Sequence, residues 1–350
     1  MKYCKLSELK GNERLARPIM TNDYRELLAA GSVLKPELIS RLSALGISEV
    51  FVQDEGLKLE QIVILRDDVE NLFKEKIKSV VELHVTNQSS ELEELKETAD
   101  DIITKILSDD KLVEQIFDLQ ERSADIYEHC VSVCTIAVLV AIKRKVSRDL
   151  IHDLGVACLF HDIGLRYLDF DCTNVIIDEL TYREQDDYHE HPRIAYNKLK
   201  EEKWISDRSR RIILNHHERI DGSGFPSHLK ELDEITQILQ VCDTFDEMIC
   251  GIGCKRSRVY EAVEYMKYAR DVLFDTDIVT ALLDFTAVYP SGTVCFLNTG
   301  EMCVVVRQNK QFPERPVLRI VKDKFGVAVR EEILCNLLEV HNVYIDRVIM

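Results

Sequence analysis

Six of the chain's ten histidines fall between residues 152 and 217, and two adjacent ligand-type pairs, His161-Asp162 and His216-His217, sit on apolar helical stripes. Leu150, Leu154, Ala157 and Cys158 recur at helical spacing and run into His161-Asp162. Ile212 and Ile213 stand four residues ahead of His216 and His217, and Ile235 and Leu239 lead by four-residue steps to Asp243. Val133, Ile136 and Val140 follow His129 on much the same stripe. A carboxylate on a core-facing stripe is costly unless it is paired, protonated or bound to a cation. Taken singly, His129 or His191 reads as an ordinary satisfied histidine. Two ligand pairs and an inward Asp are most simply satisfied together, by a shared metal site. That requirement forces the segments carrying them into one helical core.

The rest of the chain is arranged around that core. At 350 residues it is long enough for two or three domains. Residues 1–65 read as a small mixed α/β domain of open role. Its helix runs through Leu28, Leu34, Leu38, Ile39, Leu42 and Leu45 to a stop at Gly46, with a strand at Glu49–Val52 and a turn at Asp54-Glu55-Gly56. Residues 66–114 read as a helical linker. One stripe is Val69, Leu72, Phe73, Ile77, Val80 and Val81, and after a break at Asn87–Ser90 another is Leu92, Leu95, Ala99, Ile102, Ile103 and Ile106. Residues 115–286 continue helical. After Tyr289-Pro290 the pattern changes to a β-rich extension over 287–350. It has a hairpin through Val294, Phe296, Asn298-Thr299-Gly300, Val304 and Val306, and further strands at Val317/Leu318/Ile320 and Val327/Val329.

Charge and cysteine usage narrow the function classes. A formal net charge of −17 argues against a nucleic-acid polymer as partner, because binding one requires a basic surface. A small anion is still accessible through a local cation. The N-terminus has no apolar signal core, and the longest apolar run, Val131–Ile142, is too short to cross a bilayer, so no membrane insertion is expected. Eleven scattered cysteines without a CxxC pair read as small buried thiols in a reducing cytoplasm.

Five motifs in order give the core a family likeness. They are YEHCVSV around His129, HDIGL at 161–165, HPRIAYNKL at 191–199, HHERIDGSGFP at 216–226 and QVCDTFDEM at 240–248. Over residues 115–286 the chain resembles the HD-GYP phosphodiesterases of the HD phosphohydrolase superfamily, which implies an all-helical, mainly α, HD-type core. The resemblance makes His129, His161, Asp162 and Asp243 the expected ligands of one metal. Asp162, the key catalytic residue, would bridge to a second metal held by His191, His216 and His217. Iron or manganese suits this donor mix, with zinc the alternative. Some members hold a third metal through a Glu one turn before the leading histidine. Here that position is Asp125, and a third ion is the lesser expectation. The implied substrate is cyclic di-GMP, a bacterial second messenger, opened to pGpG and in some members cut on to GMP. The implied chemistry is in-line attack by a water that two metals have acidified.

Substrate contacts are expected from Arg219, Gly224, Phe225, Lys255 and Arg256. Three departures from the family pattern stand out. Leu165 replaces the Lys of HDxGK, Phe225 replaces the tyrosine of GYP, and Cys250–Arg258 replaces an Arg-Pro-Tyr segment. If holding phosphate is limiting, Leu165→Lys should raise activity. The departures keep two rival readings open: a catalytically weak module that binds a cyclic nucleotide or a signalling partner, and a phosphohydrolase for another nucleotide. A homodimer through the helical segment is a further expectation.

Overall fold

The computed structural model describes residues 2–16, 19–20, 26–29, 31–47, 49–53, 62–86, 92–108, 115–122, 124–329 and 331–349. Short N-terminal segments pair antiparallel, β1 (Lys2–Lys5) with β4 (Glu49–Val52) and β2 (Ile19–Met20) with β3 (Glu26–Leu28). Between them α1 (Pro36–Ala44) starts on a proline, where a missing N–H breaks no helical bond, and ends before Gly46 at φ 82°. Cys4, Leu6, Leu15, Leu34, Leu42, Val50 and Val52 form this region's core. The expected strand is present, but the helix is shorter than its apolar spacing suggests: Leu28 lies in β3, Leu34 precedes Pro36 and Leu45 follows the last turn, so only Leu38, Ile39 and Leu42 are helical. The Asp54-Glu55-Gly56 turn and the Asn87–Ser90 break lie outside the described residues.

Nine helices follow among the described residues: α2 (Asp67–Val85), α3 (Glu94–Leu107), α4 (Ile126–Lys143), α5 (Arg148–Phe160), α6 (Tyr182–Leu199), α7 (Asp207–Asn215), α8 (Glu234–Cys250), α9 (Val259–Ala269) and α10 (Thr276–Leu283). Residues 62–288 form one structural unit, and residues 1–61 with 289–350 form another. The stripe predicted for α3 is buried in full, whereas in α2 Leu72 points outward at 67% exposure. Both helices are built onto the rest of their unit. Lys74 of α2 pairs with Glu128, Tyr127 hydrogen-bonds Glu82, and Asp100 of α3 meets His152 at 2.7 Å.

α4 is apolar around its whole circumference because it lies at the centre of the bundle. It is longer than the apolar run seen in the sequence, and at 18 residues it meets the length and composition of a membrane span. Yet 78% of that window is buried inside the unit, as in a core helix of a folded bundle. Asp125 caps its N-terminus, accepting from the N–H groups of Tyr127 and Glu128. α8 runs from the cap Asp233 to Gly251, whose φ of 82° ends the helix in a left-handed turn.

The C-terminal part is one five-stranded antiparallel sheet of β5 (Val294–Leu297), β6 (Met302–Arg307), β7 (Val317–Lys322), β8 (Leu334–Asn336) and β9 (Ile345–Val348), in the order β8-β7-β6-β5-β9. The hairpin around Asn298–Gly300 pairs as expected, Val294 opposite Val304. Val327 and Val329 form no strand; only a bridge from Ala328 to Lys322 is made there. β8 and β9 lack a clear alternating pattern and were not anticipated. They are short and largely exposed on one side, so few of their positions must be apolar.

Candidate metal centre

Two helix ends, one proline and one carboxylate aim the histidines. His161 follows the last residue of α5 and opens a tight 3-10 turn, His161–Tyr167, that turns His161 and Asp162 together into the core. Its Nδ1 donates to the carbonyl of Cys158 at 2.7 Å, and His216 at the end of α7 does the same to Ile213 at 2.6 Å. Carbonyls in the last turn of a helix lack an intrahelical partner, so each ring satisfies one. His191 lies inside α6, where the carbonyl of Tyr188 would ordinarily bond the N–H of residue 192. That residue is Pro192, and the Nδ1 of His191 takes the vacant carbonyl instead, at 2.6 Å. In α4 the Nδ1 of His129 donates to Asp246 Oδ2 at 2.7 Å. All four Nδ1 atoms are thereby donors, and each neutral ring turns an Nε2 lone pair inward.

Those lone pairs converge on carboxylates. Oδ2 of Asp162 lies 3.5 Å from Nε2 of both His129 and His161. Its Oδ1 lies 3.4 Å from Nε2 of His191 and 3.5 Å from that of His216. Asp243 Oδ1 is 3.0 Å from Nε2 of His129 and of His161. The two Nε2 atoms are 3.2 Å apart in the His129–His161 pair and again in the His191–His216 pair. Lone pair facing lone pair at that distance is repulsive. Both Asp162 oxygens, Asp243 Oδ2 and His217 Nε2 are buried without a hydrogen-bond partner. Native interiors rarely leave such atoms unsatisfied.

A cation resolves the conflict. Donor atoms on one ion, with bonds of about 2.0–2.2 Å, stand about 3.0–3.4 Å from one another, close to the spacing seen here. The residues form two sets, His129, His161, Asp162 and Asp243, and Asp162, His191, His216 and His217, with the ligand atoms of each within 4.8 Å of one another. The donors present therefore fit metal ions, and Asp162 belongs to both sets.

Without a cation, protonation must carry the balance. Burial pushes the imidazoles of His129 and His161 down, but the surrounding carboxylates, Asp243 and Asp246 for His129 and Asp162 and Asp243 for His161, hold both well above the ordinary range. Burial dominates at His216, and at His217 it is reinforced by the neighbouring His216 and His191, so both are lowered. Burial pushes the carboxyls of Asp162 and Asp243 up, yet adjacent imidazoles, His161 foremost, keep both well below the usual carboxylate range.

The expected substrate contacts are placed unequally. Phe225 stacks on His217 with ring centroids 4.6 Å apart and meets His189 in a tilted contact at 4.5 Å. Gly224 leaves room for that loop, since a Cβ there would lie 2.3 Å from the His217 carbonyl oxygen. Lys255 is exposed. Arg219 donates to the carbonyls of His216 and Glu218 and to Thr244 Oγ1. Arg256 is buried and donates to the Arg122 carbonyl at 2.8 Å, a contact that turns its guanidinium to the backbone. Asp125 serves as the α4 cap and pairs with Lys74 at 3.7 Å; it is not among the clustered ligand groups. Leu165 is buried among Cys172, Tyr188, Cys250 and Ile252.

Several buried participants were missed. Asp246 orients His129 while accepting from Ser132 and Arg122. Glu218 accepts from the N–H groups of Ser227 and Leu229 and so ties down the loop carrying Phe225. Glu247 lies beside His217 and Asp243. A signal existed for two of them: Asp246 and Glu247 fall three and four residues after Asp243, the spacing that shares a helix face.

Comparison with known proteins places this geometry. Residues 110–278 match the HD domain family, and residues 294–350 match the KOW domain associated with HD domain. The chain is 26% identical over 213 residues to cyclic di-GMP phosphodiesterase PA4108 of Pseudomonas aeruginosa, covering 60% of this chain and 51% of that protein. It is 31% identical over 153 residues to the cyclic di-GMP phosphodiesterase response regulator RpfG of Xanthomonas campestris pv. campestris, covering 42% and 40%. It thus spans about half the length of these relatives. In fold it is similar to Bd1817, a HDG"Y"P protein from Bdellovibrio bacteriovorus, with a TM-score of 0.53 and 18% identity over 81% of this chain and 98% of that one.

Proposed function

We propose that this chain, which matches the HD domain family over residues 110–278, is an HD-GYP-type metal-dependent phosphodiesterase that hydrolyses cyclic di-GMP to pGpG, with GMP as a further product. One observation carries the reading. Both oxygens of a buried Asp162 stand unpartnered between two pairs of inward imidazoles, the arrangement of a carboxylate that bridges two ions. In this reading His129, His161 and Asp243 would hold one ion and His191, His216 and His217 the other, with Asp162 belonging to both sets. Divalent ions there, iron or manganese, would supply Lewis acidity toward a phosphoryl group and acidify water.

The chain's own residues do the rest. Backbone carbonyls and Asp246 fix the ring tautomers of His129, His161, His191 and His216, so that these four need not reorient on loading. Phe225 and Gly224 place an aromatic face and a close backbone approach beside His217. Lys255 is the exposed cation left to meet phosphate oxygens. The catalytic domain spans 115–286, after a helical segment, 66–114, that is our candidate dimer contact. Residues 1–61 and 289–350, which form one structural unit, are our candidate for meeting a signalling partner, and the reading puts the protein in the cytoplasm.

A second reading, a binding module with little turnover, draws on Leu165 and Arg256. The first offers no charge, and the second is committed to the Arg122 carbonyl. One experiment separates the two. Protein prepared anaerobically with Fe(II) or Mn(II) is assayed on cyclic di-GMP, and its metal content is measured alongside an Asp162→Ala control. Linear product with about two ions per chain, lost together in the control, supports the enzyme. Tight nucleotide binding and full metal content with no product would leave the module.

A further inference from the structure

His189 lies on α6 two residues before His191, at an exposed position of the helix, and belongs to neither donor set. Its imidazole has no hydrogen-bond partner among the described residues, and what it touches is other rings. It meets Phe225 with ring centroids 4.5 Å apart and planes tilted by 44°, and Tyr188 edge-on at 6.1 Å. Phe225 in turn stacks on His217 at 4.6 Å and 24°. A row of three rings thus runs from a candidate metal ligand to an exposed helix position.

The loop that carries the middle ring is tied down through its backbone. The Phe225 N–H donates to the His217 carbonyl at 3.1 Å, and Glu218 holds the N–H groups of Ser227 and Leu229. Arg193, one turn after His189 on the same helix, donates to the Pro226 carbonyl at 2.9 Å. The rings are therefore set in place before any ligand arrives, which lowers the cost of binding one. Aromatic and imidazole faces at such positions are what nucleobases stack on. A nucleotide whose phosphoryl group lies at His217 carries its base one ribose away, and the row of rings leads outward from His217 over that kind of span.

Resting on the phosphodiesterase reading above, we propose that His189 is a substrate-binding residue that stacks on a purine base of the cyclic dinucleotide, with Phe225 as its support. The contact is remote from the reacting phosphorus, so it holds ground state and transition state alike and enters KM while leaving kcat alone. Leu165 offers the substrate no charge and Arg256 is turned to the backbone, and stacking supplies affinity that those positions do not.

The test compares wild type with His189→Ala and His189→Phe, each loaded with Mn(II), on cyclic di-GMP and on bis(p-nitrophenyl) phosphate. The rings of the second diester sit directly on the phosphate, with no ribose to reach the platform. Thermal unfolding checks the fold of each variant. In His189→Ala the KM for cyclic di-GMP should rise about five- to tenfold with kcat kept. The small diester should be cut as by wild type, and His189→Phe should restore the KM for cyclic di-GMP. An unchanged KM in His189→Ala overturns the proposal. So does an equal loss on both diesters, which would make His189 only a prop for Phe225 and His217. A wild type that cuts neither diester strikes the phosphodiesterase reading instead. Equilibrium binding of cyclic di-GMP to wild type and His189→Ala then decides the platform, weaker binding by the variant sustaining it and equal affinities overturning it.

Discussion

The two halves of the candidate metal centre share Asp162 and differ in almost everything else. The first combines two imidazoles with Asp162 and Asp243 and has a third carboxylate, Asp246, behind His129. The second combines three imidazoles with Asp162 alone. Their electrostatics diverge accordingly: His129 and His161 are held above the ordinary imidazole range, and His216 and His217 below it. The oxygen-rich half favours a hard ion, and the nitrogen-rich half favours one with greater affinity for imidazole. One cluster therefore presents two unequal donor sets.

The largest effect should come from the residue that erases the distinction. Asp162→Ala removes a donor from both sets and should lower turnover on the order of 10³-fold or more, with loss of both ions. Single-half variants sharpen the comparison. His129→Ala leaves the nitrogen-rich set whole, and His217→Ala leaves the oxygen-rich set whole. The ratio of zinc to manganese affinity, measured by competition titration, should be about tenfold or more higher in His129→Ala. Equal ratios would mean that the halves do not differ as their donors suggest.

Asp246→Asn weakens only the first half. It removes the carboxylate that fixes the His129 ring and should cost that ion about 10–100-fold in affinity, with the second ion little changed. The same residue sets a pH dependence in the metal-free protein. Burial pushes the Asp246 carboxyl up, but Arg122 and His129 outweigh this and hold it below its ordinary value. Its contribution is therefore present above the unfolded value of about 4 and is lost as pH falls through the lower folded one. Denaturation between about pH 2 and pH 7 should show a shallower acid slope in Asp246→Asn, together with a loss of about 3 kcal/mol at neutral pH from the stranded Arg122.

The helical core and its seven-residue cluster were legible because metal ligands on core-facing stripes leave few alternatives. Asp162 and Asp243 could not be there unpaired. The supporting carboxylates were harder to see. Asp246 and Glu247 sit in QVCDTFDEM, where a run of acids reads equally well as a solvated turn of helix until α4 and α6 are packed over it. Glu218 gave no sign that it would tie down a loop, since its partners are backbone N–H groups nine and eleven residues on. Arg256 was misleading for the same reason. A basic residue in a loop looks available for phosphate, but its partner is a carbonyl 134 residues away in sequence.

Leu165 tests how far sequence reasoning can be pushed against packing. A lysine there would restore a phosphate-binding cation, and by itself that raises activity. The site, however, is 6% exposed and lined by Cys172, Tyr188, Cys250 and Ile252. Burying an unpaired ammonium among them should cost on the order of several kcal/mol unless the side chain reaches out past Phe225. We expect Leu165→Lys to lower the melting temperature and to change kcat/KM by no more than about threefold. A gain of tenfold with an unchanged melting temperature would show that the charge reaches the phosphates.

The smallest effects should separate the two basic neighbours. Arg256→Ala leaves the partly buried carbonyl of Arg122 without this donor, so it should lower stability by about 1–3 kcal/mol and leave KM alone. Lys255→Ala removes an exposed charge and should leave stability unchanged. If Lys255 meets substrate, its loss raises KM about two- to threefold at low salt, and the difference fades as salt screens the attraction. An Arg256→Ala protein with full stability and a raised KM would reverse the assignment, making the buried guanidinium the phosphate contact and Lys255 the bystander.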